Sequence, residues 1–585
     1  MGSGLDADRI YEAVDLPSPE ATHTPHSGSN KSDNTSTSTV RLPHHEWNND
    51  GILRVNTKGP HPIFELMRRA ESQWKTKTVR ASKTLRQAVF EYKRRYNRPP
   101  PKGFDHWWDY VQEHDVQLPD EYDQIFYDLE PYWGMDPHEL QQLQKEQELN
   151  LDSLTIGKDE DADPITLLTM TLDKKNLHRL EAFKKSTAGA QMEIIKDVQQ
   201  FIPPFRATLR PHDNPTLFAD WTWRRQAREA AKYRSYISIK DLKNPTRHGW
   251  ASACPLDSPL SSRPDGRYES SYRTSKTFIH DHRASMDPCF HPQHIATHGT
   301  FLGLGAGPSP KRFGSPLFSF CASSLHDDIR FTSLFQSSGY AEEDPTWEEK
   351  TDNRLFWRGS PTGMFHEEGV NWRQSQRVRL VKMAATDNDT KSDISLLRPA
   401  QSPDVPVGEA ENLARSALND ALMDISFAGQ VINCAGDVCT TMKDEFSWKD
   451  SVPAGRGGAG QYKYLLDVDG NGWSARFRRL MSSNSLVFKA TIFPEWWTDR
   501  AQAWVHYIPV QVDYSDLYDA FTFFAGDEIG KGGHDEMAKK IANSGKEWAL
   551  NYWRPEDITA YMFRLWLEYA RVTSTDRDSM NFDIP

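Results

Sequence analysis

The sequence predicts an α/β protein with two α/β units in tandem, framed by helices at both ends. Three observations predict it. Tyr464–Val468 is an apolar run that stops at Asp469-Gly470-Asn471-Gly472 and leads into the helix-forming stretch Ala475–Leu480; the order is strand, tight turn, helix. Leu355–Gly359, the turn Ser360-Pro361-Thr362-Gly363 and the segment Asn371–Val381 repeat that order. Earlier in the chain a short apolar strand starting at Arg206 ends in His212-Asp213-Asn214-Pro215, where proline turns the backbone.

Residues 1–58 are expected to be a disordered stalk or tail, because 21–40 hold ten Ser or Thr and no hydrophobic period. Residues 59–160 read as a helical extension. One helix is expected over 74–97, with Leu85, Val89, Tyr92 and Tyr96 on one face and Lys93-Arg94-Arg95 on a solvated face. Pro99-Pro100-Pro101 stops it. Phe104 to Trp133 predicts short helices, and the polar stretch 140–160 predicts a loop. The first α/β unit covers 161–340 and the second 341–530, with 340–352 as a polar linker. Residues 531–585 close the chain with helices over 534–551 and from Pro555 to Val572. Ile558, Met562, Leu565 and Tyr569 give the last one an apolar stripe.

The chain has 585 residues and a net charge of −12. That excludes a broad basic face of the kind nucleic acid requires. No run of about 18 apolar residues exists to span a membrane, and the N-terminus lacks the basic and apolar regions of a signal peptide. Of five cysteines, Cys434 and Cys439 could close a small loop and Cys254 and Cys289 a longer one, leaving Cys321. This usage is compatible with an oxidising lumen, as are the glycosylation triplets at Asn30, Asn34 and Asn388.

A strand, a glycine turn and a helix start can hold a phosphate, since free N–H groups and the helix dipole point at the anion. Ser474 is expected to cap that helix, and Arg476 with Arg478 or Arg479 to add charge. The second unit of this kind adds Arg373, Arg377 and Arg379, so the pair suggests a diphosphate clamp at strand C-termini. Asp213, at a strand end outside that clamp, is the candidate general base; an ordinary Asx turn is the alternative. Asp467-Val468-Asp469 begins like a calcium loop, but its twelfth position is Arg478 rather than Glu. It could hold Mn²⁺ only if the strand continued through Asp469, so no metal ligand is assigned. His280-Asp281-His282 and His326-Asp327-Asp328 lack further histidines at ligand spacing.

At these residues the sequence resembles glycosyltransferase family 90, the fungal capsule-associated CAP-type proteins and protein O-glucosyltransferases. The resemblance is carried by His212-Asp213-Asn214-Pro215, by Trp357-Arg358-Gly359-Ser360 with Arg377, by Gly472 to Leu480 running into Ser485 to Lys489, and by Trp504 to Val510. It spans about 90–570, and the flanking segments resemble the fungal branch. It implies a GT-B architecture: two Rossmann-like domains facing a cleft, with the C-terminal helix crossing back to the first. It implies inverting transfer from a UDP-sugar, xylose first in that branch and glucose next, to a glycan, glycolipid or glycoprotein hydroxyl in the Golgi or secretory lumen. Asp213 matches the catalytic aspartate. Ser360 and Arg377, with Arg373 as substitute, and Asn471, Gly472, Trp473, Ser474, Ala475 and Arg476 match donor positions. Neutralisation of the leaving group by arginine can replace a metal. His212, Trp221 and Trp223 are expected on the acceptor side. A catalytically silent carbohydrate-binding or scaffold protein is the alternative.

Overall fold

Two five-stranded sheets organise the computed structural model, which describes residues 42–262, 275–332, 343–385, 393–453 and 455–584. In the C-terminal sheet the strand order is Met423–Phe427, Asp352–Gly359, Tyr462–Val468, Leu486–Ala490 and Ile508–Pro509, and all neighbours are parallel. Parallel strands are covered on both faces and read as continuous apolar runs; Tyr464 to Val468 are all buried. The N-terminal sheet runs Thr166–Thr171, Ser153–Lys158, Phe205–Leu209, Phe318–Ser319, Ile329–Arg330. Its first three strands pair antiparallel and its last three parallel. Two Rossmann-like units were expected; one sheet is parallel and the other mixed. The short connection 159–165 permits a hairpin but no parallel crossover.

Four local expectations are corrected. Residues 42–58 are part of the fold: Glu46–Trp47 pairs with Ile52–Arg54, which pairs with Thr277–Ile279, all antiparallel. Ile52 and Leu53 are buried there; the tail expectation for 1–41 lies outside the described residues, as do Asn30, Asn34 and Asn388. The helix over 74–97 is two helices, Pro62–Arg80 and Leu85–Tyr96. Thr84 starts the second by accepting from the Gln87 N–H, and Asn97, left-handed at φ 51°, ends it. In its basic run Lys93 and Arg94 are exposed, but Arg95 pairs with Glu91, Glu121 and Asp123. The loop over 140–160 is mostly helix Pro137–Glu148 and strand Ser153–Lys158. The described part of the linker is no loose tether: Trp347 is buried, and Lys350 donates to Asp344 and to the Gly460 carbonyl.

The disulfides Cys254–Cys289 and Cys434–Cys439 form, and Cys321 is free and buried. Among the described residues no helix is long and apolar enough to cross a membrane.

Helix Asp535–Asn551 lies against the parallel sheet, and helix Pro555–Thr573 lies against the mixed one. Trp566 packs on Phe205 at 4.9 Å and Phe318 at 5.1 Å, and Tyr569 Oη donates to the Arg206 carbonyl. The chain end thus ties the two sheets together. Arg571 and Arg564 are buried on this helix and share one carboxylate: Glu568 accepts from Arg571 at 2.7 Å and from Arg564 at 3.0 Å. Burial opposes ionisation of Glu568, but the two guanidiniums hold its carboxyl below the usual range. Glu568→Ala would leave both guanidiniums without their counter-charge, which typically destabilises by about 3–5 kcal/mol. Urea unfolding followed by tryptophan fluorescence should show that loss; a change below about 1 kcal/mol would place Glu568 among neutral substitutions instead.

Candidate active site

The C-terminal ends of the parallel strands converge on the loop Asp469–Arg476. Strand Tyr462–Val468 stops before Asp469, so Asp467 and Asp469 do not share a strand face. Asp467 is fully buried; it accepts from Lys489 Nζ at 2.8 Å and Ser474 Oγ at 2.5 Å, and Arg476 lies 3.7 Å away. Burial opposes the charge on Lys489, but Asp467 and Glu495 hold its ammonium above the usual range, while burial pushes Glu495 up to about 8. Asp469 accepts from the Ile492 N–H at 3.0 Å and sits 3.3 Å from His298 Nε2, with its Oδ1 unpartnered. Among the described residues no group of three His, Cys, Asp or Glu could hold a metal ion.

Ser474 does not cap a helix. The helix here is Phe477–Met481, it follows Arg476, and the Ser474 hydroxyl turns back to Asp467. A single turn brings little dipole, so side chains rather than a helix terminus make the loop cationic.

Two arginines meet at the loop, and they differ in what they have left to give. Arg377, from helix Gln376–Met383, is heavily engaged: Nε donates to the Asp469 carbonyl at 2.9 Å, Nη1 to the Ser360 carbonyl and Thr362 Oγ1, and Nη2 to the Val468 carbonyl, four of its five N–H groups. Burial, and then the charge of Arg476, push it down to about 9. Arg476 spends Nη1 on the Arg358 carbonyl at 2.7 Å and makes no hydrogen bond through Nη2. Both guanidiniums lie over Trp357, at 5.6 and 5.7 Å from its ring. The indole N–H groups of Trp357 and Trp473 are also buried without partners. Arg373, the substitute for Arg377, faces elsewhere and pairs with Glu445 at the surface. Asn471 Oδ1 accepts from the Gly363 N–H and Asn433 Nδ2, and Ala475 is exposed.

Gly472 is the meeting point with the mixed sheet. A Cβ there would fall 2.2 Å from the Asp213 carbonyl oxygen and 2.7 Å from Cys321 Sγ. Cys321 Sγ itself donates to that carbonyl at 3.0 Å. The structure therefore brings the backbone of the candidate base residue and the arginine loop to one seam, and Asp213 is exposed. His212 lies 3.2 Å from Asp152 and is half-buried. Trp221 opens helix Trp221–Lys232 and is half-buried, but Trp223 is 1% exposed and packs on Gly314 and Tyr132. Two positions along a helix turns a side chain to another face, so Trp223 is corrected from ligand contact to core. The half-buried pair Trp473 and Phe320, 5.3 Å apart, flanks the seam instead.

The histidine triplets are engaged singly: His280 with the Asn48 carbonyl, His282 with Tyr507, His326 with Ser323. Sequence reasoning missed His298, Gln376, Thr362 and Cys321. Gln376 bridges the units, accepting from the Gly299 N–H and donating to the Gly470 carbonyl. Thr362 and Gln376 lie in the second strand-turn-helix unit, where the arginines draw the eye; His298 and Cys321 come from separate segments that no local pattern joins to it.

Comparison with known proteins adds a second line. Residues 455–580 match the family model for glycosyl transferase family 90. Protein O-glucosyltransferase 2 of Danio rerio is 27% identical over 303 residues, 48% of this chain and 49% of the relative. The O-glucosyltransferase rumi of Drosophila pseudoobscura pseudoobscura is 26% identical, over 44% of this chain and 55% of the relative. Protein O-glucosyltransferase 1 of Rattus norvegicus is 34% identical over 20% of this chain and 28% of the relative. The chain thus spans from about a quarter to just over half the length of these relatives. The strand Tyr462–Val468, the Asn471–Arg476 loop and the closing helices all lie inside the span that matches the glycosyl transferase family 90 model.

Proposed function

We propose that this protein is an inverting glycosyltransferase that moves a sugar from a UDP-sugar to a hydroxyl of a glycoconjugate. The observation that carries the reading is the contact of Gly472 with the Asp213 carbonyl, which joins an exposed carboxylate to a two-arginine loop. The Asp213 carboxylate takes the proton of the acceptor hydroxyl as that oxygen attacks the anomeric carbon. The bond from that carbon to the diphosphate oxygen breaks, and UDP leaves with its electron pair. Arg476, through its unspent Nη2, meets the charge that develops on the diphosphate. Arg377 contributes its charge while bracing Ser360 against the Asp469 turn. Positive charge from arginine can serve the leaving group in the way a metal would.

Glucose and xylose are the donor sugars to compare. The names of the relatives favour glucose and a protein acceptor; the resemblance to the fungal branch favours xylose. The pair Trp473 and Phe320, with Trp221, offers aromatic faces for the acceptor. Two disulfides favour an oxidising, secretory-pathway lumen. A screen of UDP-sugar hydrolysis, with and without Mn²⁺, tests the donor class without a known acceptor; no turnover of any UDP-sugar, with no UDP binding, would refute the reading.

Asp213→Asn should lower turnover by roughly 10²- to 10⁴-fold, the range of general-base contributions, with UDP affinity by calorimetry unchanged. Near-normal turnover would remove Asp213 from the chemistry. Arg476→Ala should weaken UDP binding by about 1.5–3 kcal/mol, the worth of hydrogen bonds to a charged group, whereas Arg373→Ala should leave it unaltered. Equal effects of the two would contradict the assigned roles. Gly472→Ala forces a methyl into the Asp213 carbonyl and should abolish transfer in a protein whose far-ultraviolet dichroism is that of the parent.

A further inference from the structure

The turn that carries Asp213 is held from both sides. On one side stand Gly472 and Cys321, against the Asp213 carbonyl. On the other stands Asp328, at the start of the last strand of the mixed sheet. Asp328 is 1% exposed. Its Oδ1 accepts from the Thr216 N–H at 3.0 Å, from Thr216 Oγ1 at 3.3 Å and from Ser319 Oγ at 2.5 Å. Its Oδ2 accepts from the Leu217 N–H at 2.7 Å and the Thr216 N–H at 3.2 Å. One carboxylate thus gathers two backbone amides and two hydroxyls, and both amides lie just past Pro215.

Among the described residues no salt bridge to Asp328 is part of this arrangement. Its neighbour Asp327 has the cation, bonded to Arg224 at 2.8 Å, and uses its other oxygen for the Ala219 N–H. Arg210, on the approach to Asp213, feels the charges of Asp152 and Asp328 but spends Nη1 on the Leu151 carbonyl. Tyr132, from helix Asp123–Trp133, donates to the Ser315 and Asp327 carbonyls rather than to Asp328. Cys321 donates to Asp213. A buried carboxylate satisfied by dipoles alone is expensive to ionise; for a purely structural tie, a neutral side chain would serve. What the charge adds is rigidity, because charge-assisted bonds to N–H groups are shorter and roughly twice as strong as neutral ones.

We infer that Asp328 is a positioning residue for the proposed transfer: its buried carboxylate clamps the turn 213–217 and thereby aims the Asp213 side chain at the seam with Gly472. This rests on the glycosyltransferase reading above. Asp328 touches neither donor nor acceptor and acts through Asp213. Burial pushes its carboxyl up to about 6, the bonds from Ser319, Thr216 and Leu217 pulling the other way. The clamp is therefore charged above about pH 6 and loses its charge as pH falls through that value. On protonation one oxygen becomes a donor and can no longer accept from the amides it held. Turnover should then fall on the acid side because Asp213 is no longer held, before the fold is affected.

The test compares full-length wild type, Asp328→Asn, Ser319→Ala and Asp213→Asn, with kcat, donor KM and UDP affinity measured from pH 5 to 8. Asp328→Asn should lower kcat at pH 7.5 by roughly tenfold, leave UDP affinity and donor KM within about twofold, and lose the acid limb that wild type shows near pH 6. Ser319→Ala removes a bond that favours the charged form, so its acid limb should move to higher pH. Ser319→Ala also keeps the test open should Asp328→Asn fail to fold. Wild-type kcat in Asp328→Asn, an acid limb unchanged in both variants, or an equal loss of UDP affinity would overturn the positioning role. Asp213→Asn separates the two readings: full turnover in that variant sinks the base itself, whereas an inactive Asp213→Asn beside a fully active Asp328→Asn sinks only the clamp.

Discussion

Everything at the candidate site depends on one backbone approach. The Cα of Gly472 lies so near the Asp213 carbonyl that no side chain fits between them. Contacts through long side chains would let two sheets shift by an ångström or more; contact of Cα with a carbonyl does not. A second approach of the same kind stands nearby, where a Cβ on Gly299 would fall 2.2 Å from the Gly363 carbonyl oxygen. His298 on Asp469 and Gln376 on the Gly299 N–H bracket the pair. At the far end of the molecule, the step from helix Asp535–Asn551 to helix Pro555–Thr573 carries the chain from one sheet to the other. Two ties at separate places restrict rotation as well as translation, and precise placement of a base against a reacting atom requires both.

The loop above the parallel sheet is built from charges that would repel or desolvate one another if held singly. Arg377 and Arg476 are like charges on one indole, and burial together with the charge of Arg476 makes that of Arg377 harder to keep. Asp467 offsets this from below, and Lys489 offsets Asp467 in turn. Lys489, Asp467 and Arg476 alternate in sign, which fixes the orientation of the last member without neutralising it. A site of fixed dipoles and charges does not have to reorganise when negative charge develops on a leaving group, which is the main source of electrostatic rate enhancement.

How much of this was legible in the sequence follows from where the information lies. Helix Pro555–Thr573 and strand Tyr462–Val468 were readable because period and apolar length are local. Strands of two or three residues, such as Glu46–Trp47 and Ile52–Arg54, carry no period at all and were taken for tail. The helix break at Ser82-Lys83-Thr84 was hidden by a continuous polar and apolar pattern, although Thr84 is a good cap. Asp213, Arg377 and Arg476 stand out in the sequence because each reads as lying near a strand end or helix start. Ser474 was misassigned because its alternative partner, Asp467, lies across the strand tip, and Trp223 because a tryptophan beside a site reads the same whether it faces out or in. Asp328 sits in a motif that had been weighed only as a metal cluster; its bonds to Thr216 and Leu217 span more than a hundred residues and leave no trace in local sequence.

The acidic surface and the cationic loop also belong to one design. A net charge of −12 repels a free diphosphate at long range, but at physiological salt that repulsion decays within about 8 Å. Recognition of the proposed donor must then arise at contact, where Arg476 Nη2 and the indole N–H groups of Trp357 and Trp473 are buried without a hydrogen-bond partner. Donors of this kind gain most from an anion that reaches them, since the alternative is an unpaired polar group in a dry interior. The same feature disfavours loose polyanions such as nucleic acid, which meet the negative exterior first and cannot bring a phosphate to the strand tips. Under the proposed function, selectivity for a small diphosphate over a phosphate backbone would follow from where the arginines lie rather than from how many there are.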